Sequence, residues 1–78
     1  MGKKYVVTLT PDERNHLDGL LRKGKAAALV LTRARILLKA DEADAGPGWD
    51  DADIAAPLDV GERTVSRVRQ RFVERGFE

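Results

Sequence analysis

The chain has no cysteine, a single histidine, four aromatic residues and no long apolar run. The missing cysteines exclude disulfides and thiolate metal sites, and they leave the redox compartment open. His16 has no nucleophile arrangement around it, and no glycine-rich phosphate loop, paired-carboxylate arrangement or metal-ligand spacing is visible. No catalytic residue, metal or cofactor is therefore expected, and the chain does not read as an enzyme. No segment approaches the roughly 18 apolar residues of a membrane span. The valines near Met1 are too few for the apolar region of a secretory signal, so no membrane partner and a cytoplasmic location are the expectations. Seventy-eight residues leave room for one domain with a small core. Few aromatics beside abundant Ala, Leu and Val suit an all-α domain.

A net charge of +1 conceals a segregated pattern. Residues 1–40 hold nine Lys/Arg against three Asp/Glu, residues 41–61 hold seven acids and no base, and residues 62–78 hold five bases against three acids. An acidic block thus separates two basic ones, so the folded domain can present a basic face and an acidic face.

The stretch from Trp49 to Gly76 organises the rest. Ile54, Ala55 and Leu58 form one apolar stripe, Val60 follows in a turn, and Val65, Val68 and Phe72 form a second stripe at helical spacing. Two short helices that each bury one stripe must pack on each other or on a third element. Ala55 and Val65 lie ten residues apart, a small residue on one helix and a β-branched one on the next, which a tight helix crossing requires. The stretch resembles a DNA-binding helix-turn-helix, with these apolar residues on the motif's core positions. Asp59 stands where the turn usually has Gly, and Asp tolerates the left-handed conformation. Pro57 lies inside the first helix and predicts that it is short or kinked near its end.

Upstream, Lys3 to Leu9 alternates, with Tyr5, Val7 and Leu9 on one side. It reads as an extended arm, residues 1–9, that either drapes on the helices or pairs with another molecule. Residues 10–78 form the domain proper. Thr10-Pro11-Asp12-Glu13 is a helix start with Thr10 as N-cap and Glu13 completing a capping box. That helix runs from about Pro11 to Lys23, with Leu17, Leu20 and Leu21 buried and Gly24 at its end. Its charges, Arg14, Asp18, Arg22 and Lys23, read as a solvated face. Ala26 to Ala43 has no breaker and predicts the longest and central helix, with Leu29, Ile36 and Ala40 on one seam and Val30, Leu37 and Leu38 widening it. Arg33, Arg35 and Lys39 then point outward, either to phosphates or simply to solvent.

Residues 44–49 are a loop, since two glycines around a proline cannot continue a helix. Trp49 precedes the expected N-cap Asp50, at the spacing of a hydrophobic staple with Ile54. The acids of this region do not match a helix–loop–helix calcium site, and Asp50, Asp51 and Asp53 suit a helix N-terminus instead. Glu62 to Arg75 is the candidate recognition helix. With Val65, Val68 and Phe72 inward, Glu62, Arg63, Ser66, Arg67 and Gln70 face outward. Arg reads guanine, Gln reads adenine, and Ser takes phosphate or a base. Arg69 and Arg71 flank that face and suit phosphates. The competing reading is a merely solvated basic helix.

The longer string carries a narrower resemblance. L-T-P-D-E-R, R-K-G-K-A, L-T-R-A-R-I-L-L-K-A-D-E, G-W-D-D-A-D-I-A and R-T-V-S-R-V-R-Q-R-F-V-E-R-G-F-E, together spanning Leu9 to Glu78, resemble the N-terminal region of bacterial insertion-sequence transposases of the insertion sequence 630 group, relatives of the Tc1/mariner transposases. The resemblance implies a helical domain that binds the terminal inverted repeats of the element, double-stranded DNA being the partner. In that family a catalytic domain with three carboxylates and two divalent metal ions follows, and no cleavage activity carries over to the present residues. The matching DNA-binding positions are Arg63, Thr64, Ser66, Arg67, Arg69, Gln70 and Arg71. Apart from the resemblance, basic residues of the long helix, Arg33 and Arg35, and of the arm are expected on the DNA backbone. The expected architecture is about four helices, homeodomain-like or winged-helix-like. A weak homodimer is compatible with this reading; the alternatives are a transcriptional repressor or antitoxin-type regulator, expected as a tight dimer on a palindrome, and a protein–protein module working through the arm.

Overall fold

The computed structural model of the protein describes residues 5–44 and 46–77. Within them the chain forms four helices and no strand: α1 (Pro11–Lys23), α2 (Ala28–Ala40), α3 (Asp51–Leu58) and α4 (Glu62–Arg75). Helix α2 packs against each of the other three, and α3 packs against α4. The central helix predicted from its broad apolar side is therefore central in fact.

Local chemistry sets the ends of α1 as expected. Glu13 N–H donates to the Thr10 hydroxyl at 3.1 Å, and Thr10 N–H donates to the Glu13 carboxylate at 2.9 Å, closing the capping box. At the other end Gly24 takes the left-handed conformation, φ 63°, and its N–H caps the Leu20 carbonyl.

Helix α2 is shorter than the predicted Ala26–Ala43 at both ends. Its C-terminal limit has a clear cause in Asp41, which is fully buried at 0% exposure. The carboxylate accepts from Leu9 N–H and Ala43 N–H, both at 2.9 Å, and from Arg14 Nη1 at 3.0 Å. At Asp41 the backbone leaves helical geometry, φ −55° and ψ 118°, and the side chain lies against the arm. The following loop closes back on the same residue: Gly48 N–H donates to the Asp41 carbonyl, and a Cβ at Gly46 would overlap Asp41. Arm, α1, α2 and loop thus converge on one buried acid. Helix propensity over 41–43 was outweighed by these bonds.

The extended segment drapes on the helices. Val7 and Leu9 are core residues, Val6 and Thr8 are exposed, and Glu42 N–H donates to the Val7 carbonyl at 2.8 Å. The predicted alternation holds, while Lys3 and Lys4 lie outside the described residues. The rest of the core comes from Leu17 of α1, Ala34, Ile36, Leu37, Leu38 and Ala40 of α2, Ile54 and Ala55 of α3, and Val65 of α4. Each large side chain buried there contributes about 1.5–3 kcal/mol. Leu29 departs from its predicted place on the α2 seam and is 59% exposed. Trp49, expected as a staple, lies at the surface with the Lys39 ammonium 4.6 Å from its ring centroid, and the Trp49 backbone N–H donates to the Lys39 carbonyl. It fastens the loop to α2 by a cation–π contact.

Candidate nucleic-acid interface

Helix α3 ends after eight residues, as Pro57 predicts. Asp59 adopts φ 54° and ψ 46°, the conformation usually given to Gly, and its N–H and that of Val60 cap the last carbonyls of α3. The chain reverses through Val60 and Gly61 into α4, whose N-cap is Gly61. Ile54 and Ala55 meet α4 through Val65 in the core, so the two helices form a helix-turn-helix unit backed by α2.

The helical period sorts the side chains of α4. Val65 is fully buried, and Val68 and Phe72 pack against the core. Arg63, Thr64, Arg67 and Arg71 are exposed, and Ser66 and Gln70 are half-exposed. Gln70 donates to Glu74 at 3.3 Å, one turn along the same face. Arg63, Arg67 and Gln70 recur at intervals of four and three, so they share a single solvent-facing stripe.

Arg69 departs from the prediction. It was expected outward on phosphates, but it is buried at 6% exposure. Its guanidinium makes a bidentate pair with Asp51, Nε to Oδ1 at 2.7 Å and Nη2 to Oδ2 at 2.9 Å, and Nη1 donates to the Tyr5 carbonyl. The cause is position: Val65, Arg69 and Phe72 fall at i, i+4 and i+7, so Arg69 belongs to the inward stripe. There it joins α4 to the first turn of α3 and to the arm. Such a fork-to-carboxylate pair is directional as well as strong.

The remaining predicted residues divide between two places. Arg33 of α2 is half-buried and lines, with Thr64, Arg67, Gln70 and Arg71 of α4, an open groove of about 410 Å³. Arg35 is exposed and does not line it, because two residues along a helix turn the side chain to the other side. The groove also holds Leu29, Glu74 and Arg75, none of them named as site residues from the sequence. The signal for Arg75 was present, since Arg67, Arg71 and Arg75 repeat every four residues. On the opposite flank of α4, Asp50, Asp51 and Glu62 surround a separate hollow with Arg69 at its base. One flank is cationic and the other acidic.

A homeodomain-like domain family matches this chain over residues 27–78, from the N-cap of α2 through α3 and α4. No curated protein and no solved structure matches it. The matched span holds the three helices that pack around Ile36, Leu37, Ile54 and Val65, and a homeodomain-like helix-turn-helix is an architecture for binding DNA. The chain belongs to the homeodomain-like domain family.

Proposed function

We propose that this domain binds double-stranded DNA in a sequence-dependent way, with α4 in the major groove, and that it serves as the end-recognition part of an insertion-sequence transposase. The observation that carries the DNA reading is the single outward stripe of Arg63, Arg67 and Gln70, flanked by Thr64, Ser66 and Arg71, on the second helix of the unit. These side chains supply donors for guanine, a donor–acceptor pair for adenine, and phosphate contacts at the flanks. Binding is the proposed role, without catalysis by these residues. The transposase assignment rests on the resemblance of the sequence blocks from Leu9 to Glu78.

Selection from a random duplex library tests both parts. One enriched sequence is expected, and Arg67→Ala should weaken binding to it by about 1–3 kcal/mol while leaving random duplex less affected. Finding the enriched sequence as inverted copies at the ends of a mobile element supports the transposase role. A tight dimer on a palindrome would place the domain among regulators instead, and failure to bind any duplex would refute the DNA reading.

A further inference from the structure

Between Asp18 and Asp41 the sequence contains no acid, yet it carries Arg22, Lys23, Lys25, Arg33, Arg35 and Lys39. Lys39 is taken up by Trp49. Arg22, Lys23 and Lys25, at the junction of α1 and α2, are all exposed and make no ion pair among the described residues. Arg33 enters the groove beside α4, where Arg67, Arg71 and Arg75 face one carboxylate, that of Glu74. Leu29, in the first turn of α2, lines the same groove. Lys25 precedes it by four residues, which keeps their Cα atoms within about 14 Å of each other. The connector is therefore within reach of a strand that runs along the groove and past Leu29.

We propose that Lys23, Lys25, Arg33, Arg71 and Arg75 form one continuous track for a phosphodiester strand of duplex DNA, on the α2 side of α4 only. This rests on the duplex-DNA reading and adds to it where the backbone runs. Charge complementarity selects the occupant: four arginines against one carboxylate in the groove, continued by lysines without competing acids, suit a polyanion with regularly spaced charges. The exposed side chain of Leu29 offers an apolar surface to the sugar edges between phosphates. On the other flank Asp51 is already held by Arg69, and Glu62 is exposed there, so that flank offers no free cation to a second backbone contact among its described lining residues. Lys23 acquires a role that its reading as part of a solvated face did not give it.

The test is a salt titration of duplex binding by the whole chain, carried out on the wild type, Lys23→Ala/Lys25→Ala, Arg33→Ala and Arg35→Ala. Each phosphate contact contributes about 0.9 to the slope of log affinity against log salt. The lysine pair should lower that slope by about two and Arg33→Ala by about one, each with a roughly fivefold or greater loss of affinity for random and selected duplex alike. Arg35→Ala, outside the groove, should leave the slope unchanged. Arg33→Lys keeps the charge and should keep the slope, which separates charge loss from damage to a half-buried position. The exposed lysine pair carries no such risk to folding. Steep wild-type binding with unchanged slopes in both the lysine pair and Arg33→Ala would overturn the track and leave the DNA reading standing. Absence of any salt-dependent duplex binding by the wild type would overturn both.

Discussion

Arg67 and Arg69 are two residues apart on one helix and have opposite fates. Arg67 is solvent-facing in a cationic groove, whereas Arg69 is enclosed, with both edges of its guanidinium taken by Asp51 and the Tyr5 carbonyl. Residue type is the same, so the difference comes from the helical period and from what waits on each side. On the inward side α3 presents an acid at its first turn. On the outward side α2 presents Arg33. The same division runs through the molecule: Arg14 and Asp41 hold the arm and loop in place, while Arg71 and Arg75 remain available to a partner. Charges spent on folding can be told from charges reserved for binding only when their burial and partners are known.

Breaking the held side should affect stability first. Asp41→Ala removes the acceptor for Arg14 and two backbone donors at once, and a loss of about 3–5 kcal/mol is expected, a large part of what a small domain has. Urea unfolding measures it, and a change below about 1 kcal/mol would show that Asp41 does not organise the junction of arm and loop. Arg69→Ala should cost less, on the order of 2 kcal/mol, because Asp51 is partly exposed and regains water. A double-mutant cycle with Asp51→Ala should recover most of that loss as coupling. Near-additive single effects would break the contrast between the two arginines.

The available side should show the reverse pattern. Arg67→Ala is expected to leave thermal stability within about 0.5 kcal/mol while weakening duplex binding by about 1–3 kcal/mol. If Arg67→Ala destabilised the fold as much as Arg69→Ala, the sorting by helical face would be wrong. The smallest effect belongs to Lys39→Ala, which removes the cation over Trp49 and should cost about 0.5–1 kcal/mol. Tryptophan emission reports directly on whether the indole changes its surroundings.

Much of the fold could be read from local patterns because local chemistry decides it. The capping box at Thr10 and Glu13, the Gly24 cap and the short α3 ended by Pro57 and Asp59 depend on residues within a turn or two of each other, and the core pairing of Ile54 and Ala55 with Val65 spans only about ten residues. The readings that changed depend on distant partners. Asp41 stands in a stretch without Gly or Pro, and its place at the end of α2 goes with bonds to Leu9, 32 residues away, and to Arg14 and Ala43. Leu29 fits the apolar seam, but the first turn of α2 ends beside the open groove, where it stays exposed. Arg69 could have been placed by extending the spacing from Val65, yet a buried arginine is improbable until its acid is known to lie opposite. For the candidate site, the stripe of Arg63, Arg67 and Gln70 was legible from period alone. The pairing of Arg33 with α4, the exclusion of Arg35 and the recruitment of Arg75 required the crossing of two helices.

The most direct test of the outward face of α4 as a DNA-binding surface is equilibrium titration of a fluorescent duplex with the wild-type protein over a series of salt concentrations, beside Arg67→Ala. Binding whose log affinity falls steeply and linearly with log salt, and is weakened in Arg67→Ala without loss of fold, is the expected result. No binding to duplex at low salt by a protein whose circular dichroism shows the four helices intact would contradict it.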